Sequence, residues 1–262
     1  MKIGFFGSGN MVKAIAEGIR KNHPSVIMFF YSPSGVSSKQ LAEKIKGEWV
    51  INLEDMPNDL DLYVLGFKPQ NLADFHFNFQ PNSKIVSILA GTTIQNLKKK
   101  FNDSNFCRIM PNTPSSVYLG MNLFYFEKDF DKKIQDQIVN LFQSIGEIVI
   151  LKNENEVDLL TPFSGSGPGI IFELALYLEN ALKELKIDGI DSKKIIGQTF
   201  LGSSQLMLTS QYSLAELRDQ VTSKKGVTFE ALETLRKNKV DEIMKLSIHN
   251  ALSRIEELKQ GK

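Results

Sequence analysis

Seven short apolar runs, KIGFF, VIMFFY, LYVLGF, KIVSILA, NFCRIM, NLFYF and EIVIL, lie within the first 151 residues of this chain, and no comparable run follows them. Each has the length and the branched or aromatic content of a strand buried on both faces. Polar stretches with helical spacing separate them, which calls for a mostly parallel sheet covered by helices on both sides. Beyond about residue 153 the pattern changes to helix after helix. The spacing predicts helices over residues 11–21, 38–46, 93–101 and 131–145 in the first half, and over 168–187, 191–209, 214–221, 228–238 and 241–260 in the second. Residues 152–160 read as a short ordered connection, so the expected organisation is an α/β domain at 1–152 and an all-α domain at 153–262.

The first helix of the second half is apolar almost all round. Pro168 opens it, where a missing N–H costs nothing, and Ile170, Ile171, Phe172, Leu174, Ala175, Leu176, Tyr177 and Leu178 follow with hardly a polar face. Such a helix must be covered all round. One small helical half offers few neighbours, so a second copy of the chain is expected to supply part of the cover, giving a homodimer through the C-terminal helices.

Composition narrows the function. Thirty-one basic side chains against thirty acidic ones leave a formal charge of +1, so no long-range field draws the molecule to nucleic acid or a membrane surface. No window reaches the roughly 18 uninterrupted apolar residues of a membrane span. The one cysteine, Cys107, has no internal partner and suits a reducing cytoplasm, and MKIGFF reads as a mature cytosolic start because Gly7, Gly9 and Asn10 interrupt the apolar run. Small-molecule chemistry is the expectation, with no metal site.

The stretch KIGFFGSGNMVKAIAEGI places Gly7-Ser8-Gly9 between a strand and a helix whose Met11, Ile15 and Ile19 recur every fourth residue. In that context the glycines permit a tight turn and close backbone approach, and the helix start, at Asn10 and Met11, offers free N–H groups to a pyrophosphate. A Rossmann-type dinucleotide-binding domain follows. The third position of the G-x-G-x-x-G pattern is Val12, whose bulk is expected to push the helix slightly off its strand. The second strand ends in FFYSPSG with no acidic residue to bind a ribose 2′-hydroxyl. Tyr31, Ser32, Ser34 and Lys39 can accommodate a 2′-phosphate instead, which points to NADPH, with NADH as the alternative.

Six segments in order, FFGSGNM, LGFKPQNL, ILAGTTIQNL, RIMPNTP, SGSGPGIIF and VTSKKGVTFEAL, together resemble the pyrroline-5-carboxylate reductase family over nearly the whole chain. The resemblance implies a dinucleotide-binding domain, a helical domain that intertwines with a partner's, and often a ring of dimers. It implies that Pro111 and Asn112 sit near the nicotinamide, that Gly66, Phe67, Lys68 and Pro69 form a loop beside the cofactor, and that Asn52 is the nearest match to an asparagine reaching the adenosine ribose. The glycines of SGSGPG would let backbone approach nicotinamide and substrate where the domains meet, or would merely end one helix and start the next.

Reduction of a cyclic imine needs a hydride donor, an anchor for the carboxylate and a partner for the ring nitrogen. It needs no strong acid, because a protonated imine is already electrophilic. His23, His76 and His249 lie outside every motif and are expected to be bystanders. The resemblance implies that Ser223, Gly226, Val227 and Thr228 bind the imino-acid substrate, with Thr228 on the imine nitrogen as the catalytic group and Gln211 close to the substrate amine. Thr228 can also act as a helix cap. The family's Pro-Gly-Gly-Thr-Thr is Lys224-Lys225-Gly226-Val227-Thr228 here, and a side chain on Lys225 disfavours positive φ. Three functions stay open: an NADPH-dependent pyrroline-5-carboxylate reductase of proline biosynthesis, a reductase of another cyclic imino acid, and a non-catalytic cofactor-binding paralogue. A β-hydroxyacid dehydrogenase is disfavoured, since that family's early helix lysine is missing before Lys183.

Overall fold

A computed structural model describes residues 1–259. The chain divides into two compact units, one of Met1–Pro168 with the C-terminal segment from Ala251, the other of Gly169–Asn250.

The first unit is built on eight strands: β1 Lys2–Phe6, β2 Ile27–Tyr31, β3 Glu48–Trp49, β4 Leu62–Leu65, β5 Lys84–Ser87, β6 Asn105–Met110, β7 Gly120–Phe126 and β8 Gly146–Ile150. They lie in the order β3-β2-β1-β4-β5-β6-β7-β8, and every pairing is parallel except β6 with β7. The order makes the chain leave β3 at one edge and re-enter beside β1, so the loops after β1 and β4 part there and open a crevice. The short strand β3 was not expected from the sequence; two residues carry no periodicity.

On one face of the sheet pack α1 Asn10–Asn22, α2 Val36–Ile45 and α4 Lys132–Phe142, through a core that includes Ile3, Phe5, Ile15, Leu41, Val64, Cys107 and Phe142. Val12 belongs to this core and is fully buried. Its bulk is taken up by Gly66, where an added Cβ would overlap the Val12 Cγ2 methyl, so the valine fits by exchange with a missing side chain on the neighbouring loop. Gly66→Ala is therefore expected to cost about 1–3 kcal/mol through overpacking. Adding Val12→Ala should recover part of that loss, and strictly additive urea midpoints would contradict the exchange.

The opposite face carries α3 Ile94–Lys100, α5 Glu154–Leu160 and an aromatic strap. Between β4 and β5, where a crossover helix is usual, a short 3₁₀ turn at Pro69–Leu72 gives way to residues 75–80 without regular secondary structure. Phe75, Phe77 and Phe79 alternate with exposed His76, Asn78 and Gln80, and the rings pack on Phe6, Tyr63 and Phe101 with centroids 4.9 to 6.0 Å apart. Helix α5 corrects the reading of residues 152–160 as a mere connection. Its start is a reciprocal cap, in which Asn153 and Glu156 satisfy each other's backbone N–H groups.

The second unit holds most of α6 Gly167–Glu184, then α7 Ser192–Thr209, α8 Leu214–Gln220, α9 Val227–Lys237 and the larger part of α10 Val240–Lys259. These helices match the expected ones to within a few residues; the expected end of the last, Gln260, lies outside the described residues. Among the described residues none between 169 and 250 is buried, and Phe172 and Leu208 are 65% and 82% exposed. A unit of this size with no buried side chain lacks the core a folded domain requires.

Candidate active site

At the crevice, the loops after three strands are stitched together. Gly7 N–H donates to Tyr31 O at 2.8 Å, and Gly66 N–H to Phe6 O at 2.8 Å. Gly7 has φ of +111°, open to glycine alone, and a Cβ there would stand 2.6 Å from Gly66 O. Gly9 caps α1 without a side chain, and the first helical bond is Lys13 N–H to Gly9 O at 2.9 Å. The N–H groups of Asn10, Met11 and Val12 therefore remain unspent at the positive end of the helix dipole. A Cβ on Gly9 would meet nothing within 4 Å, so the space over them is open. This cradle fits the pyrophosphate of a dinucleotide.

The polar groups near the end of β2 separate into two kinds. Ser32 is buried, its hydroxyl donating to Ser38 Oγ at 2.9 Å, while Ser38 donates to Gly35 O at 3.0 Å, so Ser32 braces the turn into α2. Ser34 and Lys39 are exposed, and the Lys39 ammonium stands 5.1 Å from the centre of the Trp49 ring. Ser8 Oγ lies 2.6 Å from Ser37 Oγ. Asn52 is exposed and its amide donates to Asp55 Oδ2 at 2.9 Å, within its own loop. The Phe67 ring lies 4.8 Å from that of Phe75 and tilted 38° to it, Lys68 is exposed and Pro69 starts the 3₁₀ turn.

Two loops of the first unit are locked to each other. Asn112 is 7% exposed and both ends of its amide are used: Nδ2 donates to Ser164 O at 3.1 Å, and Met121 N–H donates to Oδ1 at 3.0 Å. A Cβ on Gly165 would stand 2.8 Å from Met110 Cε. The MPNTP turn, with Pro111 buried in it, and the SGSGP turn are thus one assembly, and Gly165 is a point of close approach rather than a helix stop.

In the second unit, residues Ser223–Gly226 form a turn closed by Gly226 N–H to Ser223 O at 3.0 Å. Lys225 adopts φ of +56°, so the backbone keeps the left-handed conformation despite the side chain. A Cβ on Gly226 would overlap Ser223 Oγ. Gly226, not Thr228, is the cap of α9, which corrects the capping role considered for Thr228. The Thr228 side chain is half-buried and makes no hydrogen bond among the described residues. With the first helical bond running from Glu230 N–H to Gly226 O at 3.2 Å, the N–H groups of Val227 and Thr228 are also unspent. Gln211 is exposed between α7 and α8.

Comparison with known proteins assigns this set of turns. Residues 154–258 match the model for pyrroline-5-carboxylate reductase dimerisation, and residues 2–91 match that for coenzyme F420-dependent NADP oxidoreductases. A pyrroline-5-carboxylate reductase of Staphylococcus haemolyticus is 28% identical over 100% of this chain and 99% of its own. Residues 154–258 belong to the pyrroline-5-carboxylate reductase dimerisation family. The reductase of Streptococcus pyogenes superposes with a TM-score of 0.87 at 25% identity, covering 97% of this chain and 98% of that one. A Plasmodium falciparum pyrroline carboxylate reductase with NADP bound has the same fold, with a TM-score of 0.83 at 23% identity over 99% of this chain and 98% of that one. The helical region without a core is this dimerisation region, and the chain forms a dimer through it. No helix among the described residues is long and apolar enough to cross a membrane.

Two features of this reductase had no counterpart in the sequence reading. On β6, Arg108 shares a sheet face with Phe106 and is 3% exposed. Its guanidinium donates to Glu154 Oε1 at 2.9 Å and Asp158 Oδ1 at 2.8 Å, while Glu154 also accepts from Ile94 N–H at 2.7 Å and Lys259 reaches Asp158 Oδ2 at 2.9 Å. An arginine inside the apolar run NFCRIM was the available signal. The second is a pocket beside Gly7, lined by Tyr31, Leu53, Phe67, Asn71, Asp74 and Phe75 among others. Cys107, fully buried, has its thiol pushed well above the ordinary value by burial and is no nucleophile.

Proposed function

We propose that this protein reduces 1-pyrroline-5-carboxylate to L-proline with NADPH, NADH serving as the alternative reductant. The observation that carries the reading is the presence in one chain of two unspent helix starts, each led by a glycine turn: Gly7–Gly9 before α1 and Ser223–Gly226 before α9. The first suits phosphate and the second a carboxylate. In functional terms residues 1–152 bind the dinucleotide and residues 153–262 dimerise and bind substrate, in keeping with a dimerisation match that begins at residue 154. The proposal extends to a ring of dimers and to the cytoplasm, where a single free cysteine is at no risk of mispairing.

The residues that would hold the cofactor are Gly7, Ser8, Gly9, Asn10 and Met11 at the pyrophosphate and Ser34 with Lys39 at the 2′-phosphate, Ser32 bracing their turn. Gly66, Phe67, Lys68 and Pro69 would flank it with Asn52, and Pro111 with Asn112 would shape the nicotinamide end. NADPH, when bound, supplies a hydride. The backbone N–H groups of Val227 and Thr228, with the Ser223 hydroxyl and the Gly226 turn, would anchor the substrate carboxylate, and Gln211 would lie near the amine. The uncommitted Thr228 hydroxyl would hold the ring nitrogen as the imine carbon gains hydride and the C=N electron pair collapses onto that nitrogen, which keeps its proton. Positioning and charge stabilisation carry such a step without a histidine.

Thr228→Ala is expected to lower kcat by about 10-fold with Thr228→Ser near wild type, the worth of one hydrogen bond at a charged centre. An unchanged kcat in the alanine variant would remove the residue from the chemistry. A second reading, reduction of a different cyclic imino acid, draws on Lys224 and Lys225, which form no ion pair among the described residues and add charge beside the α9 start. A panel of cyclic imines separates the two by kcat/KM.

A further inference from the structure

The pocket beside Gly7 is walled mainly by aromatic and aliphatic side chains. Phe67 and Phe75, Leu53 and Tyr31 supply apolar walls, and the only polar side chains in its lining besides the Tyr31 hydroxyl are Asn71 and Asp74. The slot starts at the phosphate turn and runs along the end of β2, the side on which the adenosine half of a dinucleotide lies in this fold. Asp74 is its only acid. Its carboxylate makes no ion pair or hydrogen bond among the described residues, yet the backbone that carries it is fixed. Lys100 Nζ donates to Ala73 O at 2.5 Å, Phe75 N–H donates to Asn71 O at 3.1 Å, and the Phe75 ring packs 4.9 Å from Phe6.

A carboxylate can only accept hydrogen bonds at neutral pH. The groups proposed above for the 2′-phosphate, Ser34 and Lys39, follow β2, whereas Asp74 follows β4 and lines the apolar pocket with Phe67 and Phe75. On an otherwise apolar rim, the partner it selects is the exocyclic amine of a purine. We infer that Asp74, aided by the Asn71 amide, reads the amino group of adenine and makes this slot selective for adenine over a purine that lacks that amine. The inference rests on the dinucleotide reading above and concerns a specificity residue, not a catalytic one.

The test is equilibrium binding of NADPH and of its unsubstituted-purine analogue, in which hydrogen replaces the amine, by calorimetry on the intact protein. Wild type is expected to bind NADPH about 10-fold more tightly than the analogue, one charge-assisted hydrogen bond being at stake. Asp74→Ala should close that gap by weakening NADPH alone, and Asp74→Asn, whose amide oxygen still accepts but carries no charge, should narrow it. Equal binding of both by the wild type, or the same gap in Asp74→Ala, would overturn the inference. So would a change in the NADPH to NADH ratio in Asp74→Ala, which would make the acid a guard against the 2′-phosphate. None of these results touches the wider reading unless wild type fails to bind NADPH at all.

Discussion

Gly7→Ala is expected to weaken NADPH binding by about 100-fold, the consequence of roughly 3 kcal/mol of backbone strain that the folded turn relieves only by moving. The residue takes φ of +111°, and the added methyl carbon would stand 2.6 Å from Gly66 O, a backbone atom that cannot rotate aside. Because Gly7 N–H and Gly66 N–H tie the three crevice loops together, the shift would spread to all of them. Gly9→Ala is the companion that separates binding from folding. Its φ of −69° suits any residue and its Cβ would meet nothing within 4 Å, so stability should be retained while the methyl intrudes on the phosphates. Trp49, the only tryptophan, lies beside Lys39 and gives a fluorescence signal for the titration. Unaltered affinity in both variants would mean that phosphate does not occupy this turn.

Arg108→Ala is expected to destabilise the protein by about 3–5 kcal/mol, because it strands buried carboxylate charge. Asp158 is 4% exposed and would keep only Lys259, and Glu154 would lose its guanidinium while still holding Ile94 N–H. The loss should appear as a lower urea midpoint at fixed protein concentration, a condition the dimer imposes. Hydrogen exchange should quicken at residues 251–259, since Lys259 shares Asp158 with the arginine. Arg108→Met with Asp158→Leu should be less harmful than the sum of the single changes, as apolar replacement of a whole buried pair leaves no orphan. A change below about 1 kcal/mol in Arg108→Ala, the scale of an exposed ion pair, would show that the cluster is solvated.

The strands were legible because burial on both faces writes a continuous apolar run, and NFCRIM at 105–110 coincides with β6 residue for residue. The crevice was legible for a different reason: a positive φ at Gly7 and a bare cap at Gly9 demand glycine, and glycine is visible in a sequence. Helix α5 escaped because KNENEVDLL is polar and short, although Asn153 and Glu156 do carry the spacing of a reciprocal cap. The strap escaped because alternation of Phe75, Phe77 and Phe79 is the mark of a strand, yet this segment pairs with none. Val12 looked like a misfit until Gly66, distant in sequence, was seen to leave room for it. The Arg108 cluster draws its meaning from partners on other elements and Asp74 from the pocket it lines, and no local pattern contains that information.

Purified protein given NADPH and 1-pyrroline-5-carboxylate can be followed by nicotinamide absorbance together with proline. The expected result is stoichiometric loss of NADPH and gain of L-proline, abolished when the imino acid is omitted. Tight NADPH binding with no proline formed, from this imine or any other in the panel, would contradict it.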